Sequence, residues 1–267
     1  MCGIAGLRRF DGEPIDPLIV ESMAATLRHR GPDETGFWFE RSVAFGHARL
    51  SIIDVEGSHQ PMASPDRRFQ IVLNGEVLNY RELRAQLSFP FRTHGDTEVL
   101  LALFEKFGPS AFEKLRGQFA FAIHDSATGE THLVRDRIGI LPLYYYSDDK
   151  VFAFASEIKA LLPLPPTCRI DDESLHDYLS HRVVPAPYTL ISDVRKVLPG
   201  HHLVVKPDGT ITSEPYWQLP DDCARLDVDE SEAVRLVDQA LTDSVREALI
   251  ADVPSVFTCR AGSTAAC

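Results

Sequence analysis

Cysteine is scarce in this chain, and the few cysteines present do not pair by spacing. Cys2, Cys168, Cys223, Cys259 and Cys267 are all there are in 267 residues. An odd, scattered set without a C-x-x-C pair argues against a disulfide framework, and no His/Cys cluster has metal-ligand spacing. A reducing, cytoplasmic setting without a bound metal is the expectation. No apolar run is long enough to span a bilayer, and no charged-then-apolar leader precedes the first strand. Basic residues number 27 against 39 acidic ones, a net charge of −12. That balance argues against a nucleic-acid or anionic-membrane partner. Internal repeats and low-complexity segments are absent. What remains, 44% hydrophobic and 25% charged residues, is an ordinary globular composition, long enough for one large domain or one with an appendage.

Periodicity predicts a strand over 4–7, a helix over 16–29 stopped by Gly31-Pro32, and strands over 35–40 and 43–49. A strand over 69–73 runs into Asn74-Gly75. Helices are expected at 79–87 and 97–107, and four strands follow at 119–124, 131–135, 143–146 and 151–154. This is an α+β layered order, expected to end near residue 160. Pro163, Pro165 and Pro166 mark the boundary. A helix at 171–181, a hairpin over 202–216 around Asp208-Gly209, and an amphipathic helix over 229–250 come next. Ala233, Leu236, Val237, Ala240, Leu241, Val245 and Leu249 form the apolar stripe of that last helix. His201-His202, beside Pro199-Gly200, is expected at a turn edge on the surface.

Chemistry concentrates at the start, Met1-Cys2-Gly3-Ile4-Ala5-Gly6. Loss of one methionine would put a thiol and an α-amine on the same residue. The amine, with a pKa of about 7.7–8.0, can take a proton from a thiol of about 8.5. The small Cys2 side chain favours that processing. On its own, a cysteine at a terminus is more often a frayed end. The polar residues that a small amide substrate such as free glutamine needs appear downstream. Arg49 offers a planar fork for a carboxylate, although a lone arginine is usually a surface ion pair. Asn74 and Gly75 offer an amide and a backbone N–H for an oxyanion, although Asn-Gly is also the strongest short hairpin signal. Glu76 and Asp96 offer anions for an ammonium, with an N-cap as the plain reading of Asp96.

Together and in this order these residues resemble the glutaminase domain of class II glutamine amidotransferases, which are N-terminal-nucleophile hydrolases. The resemblance rests on the opening Cys2-Gly3-Ile4-Ala5-Gly6, Arg28-His29-Arg30-Gly31-Pro32-Asp33, His47-Ala48-Arg49-Leu50-Ser51-Ile52 and Asn74-Gly75-Glu76. It continues through Gly95-Asp96-Thr97-Glu98, Arg135-Asp136-Arg137-Ile138-Gly139 and Ala155-Ser156-Glu157. Tyr178-Leu179, Val197-Leu198-Pro199-Gly200 and Tyr216-Trp217 point to the asparagine synthetase branch. The resemblance implies a four-layer αββα sandwich and hydrolysis of glutamine to glutamate and ammonia through a cysteinyl thioester. In it Cys2 is the nucleophile, Asn74 and Gly75 form the oxyanion hole, and Arg49, Ile52, Glu76 and Asp96 bind substrate. No cofactor is implied for that step. Leu78, Gln118 and Leu141 depart from the family pattern. None is expected to touch the glutamine pocket, and Leu141 is assigned instead to the handling of ammonia or of a second domain.

The resemblance divides the chain into a glutaminase domain over 2–160, a linker hairpin and long helix over 161–257, and an aberrant tail over 258–267. In the family, Ala251-Asp252-Val253-Pro254 leads to a Ser-Gly-Gly-Leu-Asp-Ser-Ser loop for ATP. Thr258–Cys267 has a different sequence, which one choice of codons converts by a two-base shift into Leu-Ser-Gly-Gly-Leu-Asp-Ser-Ser-Leu. ATP and Mg are therefore expected only on a separate or missing synthetase domain. The expected partners are L-glutamine and either an ATP-dependent synthetase or a second copy in a homodimer. Two other readings stand beside this one: an amidohydrolase acting on another γ-glutamyl or amide substrate, and a non-catalytic remnant that binds a separate synthetase.

Overall fold

The computed structural model describes residues 1–164, 169–219 and 227–254. Its strands are β1 (Gly3–Arg9), β2 (Glu34–Glu40), β3 (Val43–Arg49), β4 (Met62–Ala63), β5 (Phe69–Val77), β6 (Gly117–Asp125), β7 (Glu130–Arg135), β8 (Tyr144–Ser147), β9 (Val151–Ala155), β10 (Val194–Lys196), β11 (His201–Val205) and β12 (Ile211–Pro215). The helices are α1 (Pro17–Ala25), α2 (Tyr80–Ala85), α3 (Asp96–Phe107), α4 (Asp172–His181) and α5 (Glu230–Ala248). Two antiparallel six-stranded sheets result, in the orders β10-β8-β9-β1-β3-β2 and β12-β11-β7-β6-β5-β4.

Strand alternation sorts the side chains into layers. Ala5, Leu7, Ala44 and Ala48 turn outward to meet Val20, Met23 and Leu27 from α1 and the turn after it. Ile71, Leu73 and Phe121 turn outward to meet Leu100, Leu103 and Phe104 of α3. Their strand neighbours Ile4, Phe45, Val72, Ala120 and Ala122 fill the space between the two sheets. The expected four-layer αββα sandwich is this arrangement.

Three features depart from expectation. Helix α1 stops at Ala25 instead of 29. Asp16 caps its start by accepting from the Leu18 N–H, but tighter bonds from Leu27 to Ala24 and from Arg30 to Leu27 close the chain into turns afterwards. The layered domain does not end near residue 160. β10 extends the first sheet beside β8, and β11 and β12 extend the second beside β7. His202 is not at the surface: it is buried on β11, 2.8 Å from His132, with Phe112 against its ring. The apolar face of α5 is exposed at Val234, Val237, Leu241 and Val245. Pro165, Pro166 and the tail 258–267 lie outside the described residues.

Candidate functional site

Register places Cys2. Gly3 pairs with Ala48 in the antiparallel β1–β3 ladder, so Cys2, one step further, lies across from Arg49. Cys2 shares its side of β1 with Ile4, and Arg49 shares its side of β3 with Phe45, so both face the space between the sheets. From the opposite sheet, Val72 faces that same space. Alternation brings Asn74 and Glu76 to the same face. The ends of three strands thus converge before any site chemistry is considered.

They converge on a cavity of about 150 Å³. Cys2, Arg49, Ile52, Gly75, Glu76 and Asp96 all line it. The expected site residues are therefore brought together, with one difference: Asn74 is fully buried on β5 and is not itself among the lining residues. Neither atom of its side-chain amide has a hydrogen-bond partner among the described residues. A buried amide with both atoms unpaired costs about 1–3 kcal/mol, so it marks a place where stability yields to another demand.

The Asn74-Gly75 pair does not make a hairpin. β5 runs straight through it, with Asn74 opposite Ala120 and Gly75 opposite Phe119. Gly75 has φ +114°, and a Cβ there would stand 2.1 Å from the Gln118 carbonyl oxygen. Only glycine fits. Gly31 answers a similar demand at the other wall, where an added Cβ would meet the Ala48 carbonyl oxygen at 2.1 Å.

The Cys2 thiol donates to the Leu50 carbonyl at 3.6 Å and accepts from the Leu50 N–H at 3.4 Å. Burial pushes the thiol up, while the Leu50 N–H and the nearby Arg49 cation pull the other way. The Cys2 carbonyl accepts from Arg30 Nε at 2.8 Å. Arg30 is in turn paired with Glu157 at 3.0 Å. Arg49 is almost wholly buried and spends its guanidinium on Val55 O at 2.9 Å, Asp54 O at 2.8 Å and Glu34 at 3.3 Å. Of its five N–H groups, two have no partner among the described residues.

The other wall holds crowded anions. Asp96 opens α3 just after Gly95, the capping residue. Its carboxylate accepts from the Val77 N–H at 2.9 Å and sits near Thr97 Oγ1 at 3.4 Å. Burial still raises it to about 6. Glu76 is raised by its own burial and then by the neighbouring Asp96 charge. Two carboxylates held above their ordinary range around one cavity suit a cationic group.

Gln118 and Leu141 also line the cavity, which overturns the expectation that the departures from the family pattern avoid it. Gln118 is the cross-strand partner of Glu76, and directly paired residues share a face. Leu141 is placed by Asp136, a fully buried carboxylate that accepts from the Ile140 and Leu141 N–H groups. The Leu141 side chain ends 2.5 Å from where a Gly75 Cβ would be.

Sequence reading missed four further residues. Gln60 lines the cavity and accepts from the Leu73 N–H at 2.6 Å. His47 spans the two sheets to the Leu73 carbonyl at 3.0 Å, and burial lowers it to about 4. Glu98 gathers the Arg92 and Thr93 N–H groups and so shapes the loop before Asp96. Asp54 has φ +47° and bonds on several sides. His47 and Glu98 stood inside motifs already singled out, a signal that could have found them. Gln60 and Asp54 had no such signal. Among the described residues, no cluster of His, Cys, Asp or Glu could hold a metal ion, and no helix is long and apolar enough to cross a membrane.

Comparison with known proteins identifies the family. Residues 1–217 match the family profile described as glutamine amidotransferase domain. Asparagine synthetase [glutamine-hydrolyzing] 1 of Bacillus subtilis is 38% identical over 262 residues, covering 95% of this chain and 41% of that protein. Asparagine synthetase B [glutamine-hydrolyzing] of Escherichia coli is 33% identical over 260 residues, covering 95% and 41%. Amidase chry2 of Gibberella zeae is 36% identical over 274 residues, covering 95% and 40%. The chain thus spans about two-fifths of the length of these curated relatives. Among solved structures, the B. subtilis glutamine phosphoribosylpyrophosphate amidotransferase superposes with a TM-score of 0.60 at 23% identity, over 82% of this chain and 50% of that one. That likeness speaks to the fold.

Proposed function

This chain belongs to the glutamine amidotransferase domain family, and on that premise we propose that it hydrolyses L-glutamine to glutamate and ammonia at Cys2. The observation that carries the reading is the convergence of Cys2, Arg49, Ile52, Gly75, Glu76 and Asp96 on one cavity. Its volume of about 150 Å³ suits one small amino acid; pockets for drug-sized ligands run to about 300–1,000 Å³.

Removal of Met1 supplies the base. While Met1 is attached, the Cys2 nitrogen is an amide without a usable lone pair. Once it is an amine, it takes the thiol proton, and the thiolate attacks the substrate's γ-carboxamide carbon. The developing oxyanion receives the Gly75 N–H and the Asn74 amide. The C–N bond breaks as the α-ammonium returns its proton to the leaving nitrogen, and ammonia departs. Water then attacks the thioester carbon, with the amine as base, and glutamate leaves. Arg49 holds the substrate carboxylate with its remaining N–H groups, Glu76 and Asp96 hold the ammonium, and Ile52 packs on the aliphatic part. The step needs no cofactor.

The partners in this reading are an ATP-dependent synthetase activity, which uses ATP and Mg to consume the ammonia, and alternatively a second copy of the chain in a homodimer. The setting proposed is the cytoplasm. A second reading rests on Gln118 and Leu141. Both depart from the family pattern and line the cavity, which favours a different γ-glutamyl or amide substrate. Kinetics on glutamine against its analogues separate the two.

The direct test is glutamate release from glutamine by the purified chain, with Cys2→Ala alongside and intact masses recorded for both. The expected result is a wild type without Met1 that releases glutamate and a variant that does not. A fully processed but inert wild type, even with a synthetase added, overturns the reading.

A further inference from the structure

Asp54 stands at a junction that the reaction does not account for. Its carbonyl accepts from Arg49 Nη2 at 2.8 Å and from the Gly57 and Ser58 N–H groups at 3.2 and 3.1 Å. Its carboxylate accepts from the Ser58 hydroxyl at 3.0 Å and the His94 N–H at 2.9 Å. His94 lies two residues before Asp96. One residue therefore touches both poles of the proposed head-group site: the arginine for the carboxylate and the loop that delivers an anion for the ammonium. It does so with φ +47°, in the left-handed region that aspartate tolerates better than most residues.

A further tie to the turn comes from far along the chain. The Asp54 N–H donates to Asp252 Oδ2 at 2.8 Å, and the Asp252 N–H donates to the Ile52 carbonyl at 3.0 Å. The two bonds run in opposite senses and close Asp252 over the turn like an added strand residue. Ile250 and Ile52 both pack against the core cluster that includes Leu73, Val77 and Leu100. Arg81 approaches the other Asp252 oxygen at 4.0 Å, a looser contact.

We propose that Asp252 is a positioning residue for glutamine binding: it latches the Ile52–Asp54 turn and, through Asp54, holds Arg49 and the His94–Asp96 loop at the spacing an amino-acid head group requires. Cys2, Asn74 and Gly75 sit outside this chain of contacts. Loss of the latch therefore weakens capture of the substrate and leaves the chemical step alone. The latch also ties the end of α5 to the cavity wall.

The proposal rests on the glutaminase reading and is tested on the full chain with Asp252→Ala, Asp252→Asn and Arg81→Met. Initial rates against glutamine concentration, amide hydrogen exchange of the peptide covering residues 50–58, and Tm are recorded for each. Asp252→Ala is expected to raise KM about tenfold with kcat within twofold, and to speed exchange in the 50–58 peptide. Asp252→Asn keeps an acceptor oxygen for the Asp54 N–H and is expected to restore both to within twofold of wild type. Arg81→Met is expected to change neither. An unchanged KM in Asp252→Ala, a fall in kcat at constant KM, or equal effects in all three variants overturns the proposal. A wild type that releases no glutamate overturns the reading beneath it. The exchange comparison still decides in that case whether Asp252 holds the turn, so the two failures separate.

Discussion

The two walls of the cavity are made of the same materials and treated in opposite ways. On the first sheet, the polar groups of Cys2 and Arg49, which line the cavity, are compensated. Arg49 is bonded to Val55, Asp54 and Glu34, the Cys2 thiol exchanges bonds with Leu50, and the Cys2 carbonyl is held by Arg30. On the second sheet and α3, demand is left open. The Asn74 amide has no partner among the described residues, and Glu76 and Asp96 are both held above their ordinary range. The first wall holds its parts in place. The second concentrates like charge and unpaired donors where a cation and a developing oxyanion would settle them. In the proposed reaction, residues of the first wall would serve stability and function together, and residues of the second would serve function at some cost in stability.

The largest effect expected from breaking this contrast is at Gly75. Gly75→Ala drives a methyl group onto the Gln118 carbonyl and forces a β-carbon into a positive-φ backbone. Glutamate release should fall at least about 100-fold and Tm should drop; calorimetry and initial rates check both. Next comes the paired comparison that defines the walls. Asp96→Asn should lower kcat/KM about 100-fold while Tm at pH 8 stays level or rises, because it removes a buried charge worth about 1–3 kcal/mol of strain. Arg49→Met should lower kcat/KM comparably but also cost about 1–3 kcal/mol, since three acceptors lose their donor. If both variants lose stability equally, the contrast fails.

A pH titration sharpens the comparison. Asp96, near 6 in the fold, must be ionised to hold an ammonium, so KM for glutamine should climb as pH falls through about 6. Stability carries two opposing contributions. Asp96 binds its proton more tightly folded than unfolded, so its contribution rises as pH drops through 6. His47, His124 and His132 are held near 4 and His202 near 3 by burial. The unfolded chain protonates them from about 6.5, so their contribution is lost from that pH downward. Four histidines outweigh the two raised cavity carboxylates, Asp96 and Glu76, and Tm is expected to fall between pH 6.5 and 4. The smallest effects lie furthest from the walls. Val237→Glu on the exposed face of α5 should leave Tm and kcat unchanged, within about 0.5 kcal/mol.

Much of this molecule was legible before any coordinates. Every predicted strand and helix that falls on described residues exists within a few positions, because period-2 and period-3.6 patterns follow from local geometry. That Cys2 belongs with the other candidate site residues was legible too, and the fold sets it on the wall of their shared cavity. The misreadings share one cause. Asn74-Gly75 looked like a turn locally, but the β6 partner keeps it in a strand. Gln118 reaches the cavity only because register sets it against Glu76, and Leu141 only because Asp136 folds its loop inward. His202 is buried because β11 pairs with β7 and brings it to His132.

Residue type and order, then, set the elements, the layers, and which side chains could do chemistry. Tertiary structure decided which of them meet, and which polar groups are answered and which are left open. The reason is range. Propensity and periodicity act over a few residues, whereas the bond between the Asp54 N–H and Asp252 joins positions 198 apart. Contacts at that separation exist only once two sheets have paired in register and a core has closed between them.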